Sequence, residues 1–196
     1  MKKLHLTALA AFALVALSPL MSSADELSNP AQGAVRRTYN VNATKGAGTH
    51  KDRFKKLANS IKSGEQVPYS TRVDTAQSFV TESSDNWEPD TGMWTGFLKR
   101  KASGDYTIVI STNGGNLWPA YSLWVNGRQI VDAATETTAV NVFLKAGYND
   151  VCLIVEVNQN YYPTLTIKKK DSLQDPKTIT PGDLWHEDEP DDEDED

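Results

Sequence analysis

The sequence has few of the residues on which catalytic and metal sites are usually built. It contains one cysteine, Cys152, and three histidines, of which only His50 and His186 follow the first twenty residues. One cysteine excludes an intramolecular disulfide. Because both histidines lie outside the central part of the chain, a Ser-His-Asp or Cys-His arrangement or a zinc site is not expected there. We therefore predict a protein that is not an enzyme and that has no metal or other cofactor.

One further catalytic arrangement stays open at this stage. A glycosidase needs two carboxylates facing each other across a cleft, and a pair such as Asp105 with Asp132 is compatible with the sequence. A small domain with a filled core rarely offers such a cleft, so a secreted hydrolase is the least favoured class. The only cysteine lies in the apolar run 151–155, which predicts a buried and unreactive thiol.

Long hydrophobic runs are absent except for one near the start of the chain. Two lysines precede the apolar run of residues 6–17, and the small residues Ser22 and Ala24 follow it. This three-part pattern predicts a signal peptide over residues 1–24, cleaved before Asp25. The run is shorter than the roughly 20 residues that span a membrane. A secreted or periplasmic location without a membrane span is therefore expected.

Negative charge is concentrated at the end of the chain. Nine of the 26 acidic residues follow His186, and the remainder of the chain is close to neutral. A nearly neutral body argues against nucleic acid as a partner. Residues 171–196 are predicted to be a linker followed by a disordered acidic tail, because like charges repel and nothing apolar is available to bury. We interpret the tail as solubilising; cation binding or attachment to a basic partner is the alternative.

The N-terminal extension, residues 25–66, contains one helical pattern. Thr49 is a suitable N-cap, and Gly64 can end the helix, which is predicted over about 50–63. Four apolar residues recur at the spacing of one helical face: Phe54, Leu57, Ala58 and Ile61. We expect this face to pack on the adjoining domain. Since lysines line the other face, a membrane surface or an acidic partner is the alternative.

Strand and turn signals fill residues 67–170. Apolar and polar residues alternate most clearly in the runs 106–111, 140–144 and 151–157. Asn126-Gly127 lies between two further strand-like runs, and this pair is the strongest short-range signal of a hairpin. Helical periodicity is lacking in this region. The pattern predicts one all-β domain, an antiparallel β-sandwich of jelly-roll type, with Trp94 and Trp124 in its core or on its sheets.

Three consecutive segments between residues 94 and 168 carry a family resemblance. They read WTGFL followed by SGDYT, then LWVNGRQIVD, then LKAGY. In order and spacing they resemble the protective-antigen module (PA-fourteen), a β-sandwich of bacterial toxins, glycosidases and fungal adhesins. The resemblance implies a carbohydrate-binding or assembly module. In the sugar-binding adhesins of that family, paired aspartates hold a Ca²⁺ ion; the corresponding loop here, 111–120, has no carboxylate, so calcium is possible but not supported.

That loop with the adjoining Tyr121, and a second polar-aromatic loop at residues 158–162, contain the candidate ligand-binding residues. An indole ring can stack on the CH groups of a sugar while neighbouring amides pair with its hydroxyls, and loops on a rigid scaffold often carry function. The alternatives are that the first loop's tryptophan covers the sandwich edge and that the second loop is a turn with one buried tyrosine. The predicted ligand-binding residues are Asn113, Asn116, Trp118, Tyr121, Tyr161 and Tyr162.

These patterns together predict an exported, non-catalytic binding module. Carbohydrate or glycoconjugate on a host or microbial surface is the leading ligand class. The alternative is a structural or assembly protein of the cell envelope that makes protein–protein contacts. A sugar-binding protein is expected to expose Trp118 or Tyr161 on a concave face, whereas an assembly protein is expected to have a broad apolar patch or an unpaired strand edge.

Overall fold

The computed structural model describes residues 27–81, 90–112, 120–157 and 162–188. The predicted signal peptide and the acidic residues 189–196 lie outside these ranges. Within the described residues, one α-helix, α1, spans His50–Lys62. The strands are β1 Pro30–Gln32, β2 Ala34–Tyr39, β3 Ser70–Asp74, β4 Asp90–Arg100, β5 Gly104–Thr112, β6 Ala120–Val125, β7 Arg128–Ala134, β8 Thr138–Leu144, β9 Gly147–Val157, β10 Pro163–Lys169, β11 Lys177–Ile179 and β12 Leu184–Glu187.

The strands form two antiparallel sheets. Sheet A has the order β1-β12-β4-β9-β6-β7, with β2 also paired to β4 and β3 paired to β2. Sheet B has the order β11-β10-β5-β8. The prediction of an all-β antiparallel sandwich is confirmed.

The main core lies between the two sheets. Alternate residues of β5, such as Ile108 and Ile110, face residues of sheet A such as Leu153, and all three are buried. Trp94 is fully buried in this cluster, with its ring edge-to-face against Phe79 at 5.7 Å. The period-two alternation of the sequence therefore reports which side of each strand enters the core.

The helix covers part of the outer face of sheet A. Phe54, Ala58 and Ile61 are buried there in a second cluster that includes Trp124 and Cys152. Helix α1 begins at a Thr49 side chain that accepts the Asp52 backbone N–H at 3.1 Å. Strand β9 is thus apolar on both faces, which explains why its sequence is an almost continuous apolar run.

Burial determines the chemistry of the thiol on this second core. Cys152 is fully buried, and desolvation raises the pKa of its thiol to about 11, despite the opposing effect of nearby Lys62. Since the thiolate is the reactive form, we expect the folded chain at roughly pH 8 not to react with a thiol-specific disulfide reagent. Adding denaturant should release one reactive thiol per chain, followed by absorbance. Rapid modification of the folded protein would contradict this arrangement.

The sandwich includes segments that the sequence pattern assigns to its flanks. Strands β1 and β2 come from the predicted N-terminal extension and belong to sheet A. The predicted linker supplies β11 to sheet B and β12 to sheet A. His186, predicted to begin the acidic tail, is buried and its Nδ1 lies 3.1 Å from the carbonyl oxygen of Gly33. The sandwich thus extends beyond residues 67–170 on both sides.

Two physical reasons explain why the sequence pattern does not predict strands β1, β2 and β11. Strands β1 and β11 have three residues each, too few for an alternation to be visible. Strand β2 places a charged residue, Arg36, on its core-facing side, where it is 4% exposed. The Arg36 side chain lies 3.6 Å from the equally buried carboxylate of Asp74 and donates a hydrogen bond to the Val80 carbonyl. A buried ion pair replaces the apolar residue that the pattern requires.

Candidate functional site

One end of the sandwich carries two connections that cross between the sheets. The segment 113–119 joins the end of β5 in sheet B to the start of β6 in sheet A, and the segment 158–161 joins the end of β9 in sheet A to the start of β10 in sheet B. Thr112 is paired with Pro163, and Ala120 is paired with Glu156. Since β5 neighbours β10 and β6 neighbours β9, the ends of the two connections lie side by side.

A third segment starts and ends at the same place. Residues 82–89 lead into β4, whose first residue, Asp90, is paired with Val157 at the end of β9. Thr81, the last described residue before this segment, is buried with its side chain beside Gly92 near the start of β4. The described residues that flank three segments therefore lie at one end of the fold, and we call this end the loop end; the segments are 82–89, 113–119 and 158–161.

Most of the predicted ligand-binding residues belong to these connections. Asn113, Asn116 and Trp118 lie in the first crossing segment and Tyr161 in the second, outside the described residues. Their contacts with ligand remain a prediction. The strand ends bring together the described residues that flank the two segments, although these flanking residues are far apart in sequence.

The remaining two predicted residues lie within the described part of the chain. Tyr121 is fully buried, its hydroxyl donates to the carbonyl oxygen of Glu136, and desolvation raises its pKa. Tyr162 is partly buried and packs against the main core. Tyr121 thus offers no exposed ring face and supports the start of β6 from inside, a consequence of the alternation that turns its side chain toward sheet B.

An exposed tyrosine that the sequence patterns did not single out lies beside the loop end. Tyr69 is 59% exposed, and its hydroxyl donates a hydrogen bond of 3.0 Å to the carboxylate of Asp90. Desolvation raises the pKa of Asp90, opposed by this hydrogen bond. Val67, two residues earlier, is 85% exposed. In the sequence, the only indication of this exposed surface is that Val67 stands next to Pro68 in a short irregular stretch. The contact between Tyr69 and Asp90 has no local signature, because it depends on the pairing of β2 with β4.

A buried carboxylate holds the other side of this end together. Glu156, in the last part of β9, is fully buried. One of its oxygens accepts the Ala43 backbone N–H, and the other lies 2.7 Å from Nε2 of His50. The start of α1 and the loop before it are therefore fixed to sheet A. Because Glu156 stands in the apolar run of β9, the sequence pattern does not indicate a structural role for its carboxylate.

The carboxylates considered for a hydrolase do not meet. Asp105 lies on the outer face of sheet B, since its neighbours Tyr106 and Ile108 enter the core. Asp132 contacts Lys55 of the helix, which packs on the outer face of sheet A. The two side chains are on opposite sides of the sandwich. Within the described ranges, no group of three or more His, Cys, Asp or Glu residues is placed to hold a metal ion.

In the part of the chain that the structure describes, no helix is long and apolar enough to cross a membrane.

Comparison with known proteins identifies the fold but no close relative. The sequence matches no family model and no curated protein. Among solved structures, the A domain of epithelial adhesin 6 from Candida glabrata, in complex with Galβ1-3GlcNAc, is 15% identical with a TM-score of 0.58, over 86% of this chain and 92% of the adhesin domain. The PA14 domain of the MpAFP antifreeze protein is 12% identical with a TM-score of 0.53, over 82% of this chain and 93% of that domain.

Another similar structure belongs to a longer protein. An anti-sigma factor domain-containing protein from Clostridium clariflavum is 19% identical with a TM-score of 0.52, over 82% of this chain. The chain spans about half of that protein's length, 48%. At these identities the likeness concerns the fold. The chain has a fold of the PA14 (protective-antigen) type.

Proposed function

We propose that this protein is an exported, non-catalytic module that binds carbohydrate at its loop end. The observation that carries the proposal is the pairing, at one end of the sandwich, of the strand residues that flank the two polar-aromatic connections 113–119 and 158–161. The similar fold of an adhesin domain solved with Galβ1-3GlcNAc supports carbohydrate as the ligand class.

Each candidate residue has a distinct role in this proposal. Trp118 stacks on the apolar face of a sugar ring, and Asn113 and Asn116 pair with its hydroxyls. Tyr161 contributes a second ring from the neighbouring connection. Tyr121 supports the loop from the core, because its hydroxyl is held by the Glu136 carbonyl. An aromatic face with a few convergent polar groups is the usual composition of a small-molecule site.

Binding by the connection 113–119 is proposed to be independent of calcium; the carboxylates of the loop end belong to the segment 82–89, whose spacing matches no EF-hand pattern. Calcium takes six to eight oxygen ligands, including carboxylates. The connection 113–119 supplies amide side chains and no carboxylate. Asp90, at the start of β4, is engaged by the Tyr69 hydroxyl and lies where burial disfavours its charged form.

An assembly role is the second candidate, and one observation favours it. Strand β8 is an edge strand of sheet B among the described strands, and Phe143 on it is 59% exposed. An unpaired edge with an exposed aromatic side chain is a feature of proteins that add a strand from a partner. Glycan binding and strand pairing use different surfaces and are compatible in one molecule.

A glycan array and a mucin-binding assay test the proposed function. The purified chain is applied once with calcium and once with a chelator. We expect retention on a defined set of glycans that the chelator leaves unchanged. Binding that the chelator abolishes contradicts the calcium-free site, and no retention in either arm contradicts carbohydrate binding and favours the assembly role.

A further inference from the structure

Among the strands that the structure describes, β8 presents an unprotected edge of sheet B. Its sequence, TAVNVFL, has no charged residue and no proline, the two devices that most often keep edge strands apart. The edge strand of sheet A that lies next to β8 is β7, and it is protected from further pairing. Its register is irregular, Ala133 has a positive φ of 52°, and Lys55 of the helix binds Asp132. Of these two facing edges, β8 is therefore the one open to a further strand.

The free backbone groups of β8 can be identified from its partner β5. The Asp105 carbonyl accepts the Lys170 N–H on the β10 side. Because backbone groups alternate along a strand, Tyr106, Ile108 and Ile110 point toward β8. They are paired with Val142, Val140 and Thr138. The three residues of β8 whose N–H and C=O groups point outward are therefore Ala139, Asn141 and Phe143.

We propose that β8 pairs with β8 of a second copy of this chain, in antiparallel register centred on Asn141. In this register all seven residues of each strand overlap, and Asn141 lies opposite the partner's Asn141. Phe143 lies opposite the partner's Ala139, a large side chain beside a small one. The outward-pointing groups of three residues on each strand then exchange hydrogen bonds in pairs. Sheet B becomes one continuous sheet across the dimer, with an isologous interface.

The charges that flank the strand support a second copy over an unrelated peptide. Glu136 and Lys145 are the nearest charged residues on either side of β8, and both are exposed. In the register centred on Asn141, Lys145 lies opposite the partner's Thr137, one position from the partner's Glu136. Opposite charges are thus adjacent at both ends of the strand pair, while no like charges face each other.

A groove next to β8 gives the added strand a surface to cover. The groove has a volume of about 490 Å³ and lies between β7 and β8. Its apolar lining includes Ile130, Val140 and Val142, which are partly buried at the rim of the main core. In the proposed register Val140 is paired with the partner's Val142, and paired residues of two antiparallel strands point to the same face of the sheet. The partner's Val140 and Val142 therefore extend the apolar surface over this opening.

The symmetry has a consequence that rests on the proposed function. Strand β8 begins near the loop end, since Thr138 is paired with Ile110 close to the end of β5. In an antiparallel pair, the partner's loop end points in the opposite direction. A dimer therefore presents its two glycan sites at opposite poles and bridges two glycan-bearing surfaces. Dimerisation itself does not depend on glycan binding, so an experiment can contradict the dimer without contradicting the glycan site, and the reverse.

Charge substitutions at the centre of the register test the dimer. Asn141→Lys and Asn141→Asp each place like charges opposite each other across the two-fold axis. Because such a juxtaposition is costly in an interface, we expect each variant to raise the dimer Kd by at least about tenfold in sedimentation equilibrium. An equimolar mixture of the two variants places a positive charge opposite a negative one across the axis, so it should restore dimers, all of them mixed. The matched control Asp105→Asn changes the charge of the neighbouring strand and should leave the Kd unchanged.

Three results would overturn the proposal. One is a wild-type chain that stays monomeric at about 1 mM. Another is an Asn141→Lys variant that dimerises like the wild type while circular dichroism shows it folded, which would place the interface elsewhere. The third is a mixture of the two variants that stays monomeric, which would exclude the register centred on Asn141.

Discussion

Replacing Trp118 by alanine is expected to abolish glycan binding while leaving the fold intact. Tryptophan anchors in binding sites commonly contribute about 2 kcal/mol or more, so we expect the affinity to fall by roughly 30-fold or more. Trp118 lies outside the described strands, so we expect the strand pairs of both sheets to stay in place in this variant, and circular dichroism checks that it is folded. Calorimetric titration with a glycan retained on the array measures the loss.

Trp185→Ala is the matched control for that loss. Trp185 is a partly exposed tryptophan on β12, where Lys99 lies 5.5 Å from its ring and Tyr148 packs edge-to-face at 6.3 Å. It lies on the outer face of sheet A, away from the crossing connections. We expect glycan affinity to be unchanged in this variant. Equal losses in the two variants, or unchanged binding by Trp118→Ala, would show that the loop end is not the site.

Replacing Asp74 by alanine is expected to have the largest effect on stability. Its carboxylate accepts the Trp94 indole N–H at 2.7 Å and the Ala76 backbone N–H at 3.0 Å, and it lies 3.6 Å from the Arg36 guanidinium. Removing it leaves a buried cation and a buried indole N–H without this acceptor. Loss of one partner of a buried pair costs about 3–5 kcal/mol. Urea unfolding followed by tryptophan fluorescence measures the change in the free energy of unfolding.

Two further variants separate charge from hydrogen bonding at this cluster. Asp74→Asn keeps an acceptor for Trp94 but removes the charge that faces Arg36, so its loss should be smaller than that of Asp74→Ala. Asp132→Ala removes a carboxylate from the exposed pair with Lys55 and should cost at most about 1 kcal/mol. A cost for Asp74→Ala as small as that for Asp132→Ala would contradict the buried role of this carboxylate.

The sequence was informative wherever burial follows a simple period. Alternation in β5 and β8 predicts which residues enter the core, and the i, i+3, i+4 spacing of Phe54, Leu57 and Ala58 predicts the packed face of α1. Asn126-Gly127 predicts the hairpin between β6 and β7, and both residues have the positive φ that this turn requires. In each of these elements, the local sequence pattern and the tertiary packing favour the same conformation and the same buried face.

The pattern fails where a polar group replaces an apolar one in the interior. Arg36 on β2 is buried only because Asp74, almost forty residues later, supplies the opposite charge. Glu156 is buried because Ala43 and His50 lie against it. Such long-range partners have no signature in local spacing, so the local pattern predicts neither β2 nor the outer support of the loop end.

The candidate site divides in the same way. The residue types in 113–119 indicate a polar-aromatic surface, but only sheet topology shows that this segment and 158–161 begin and end next to each other. Tyr121 shows the opposite case. Its position beside the loop predicts a contact with ligand, whereas the alternation along β6 turns its ring into the core.

Amide chemical-shift mapping of the isotope-labelled chain tests the loop-end site most directly. The chain is titrated with a glycan retained on the array, and backbone and indole N–H signals are followed. We expect the shifts to be confined to residues 81–90, 112–120 and 157–163, with the Trp118 indole N–H among the largest and that of buried Trp94 unchanged. Shifts centred on β8, or on the outer face of sheet A around Trp185, would contradict binding at the loop end.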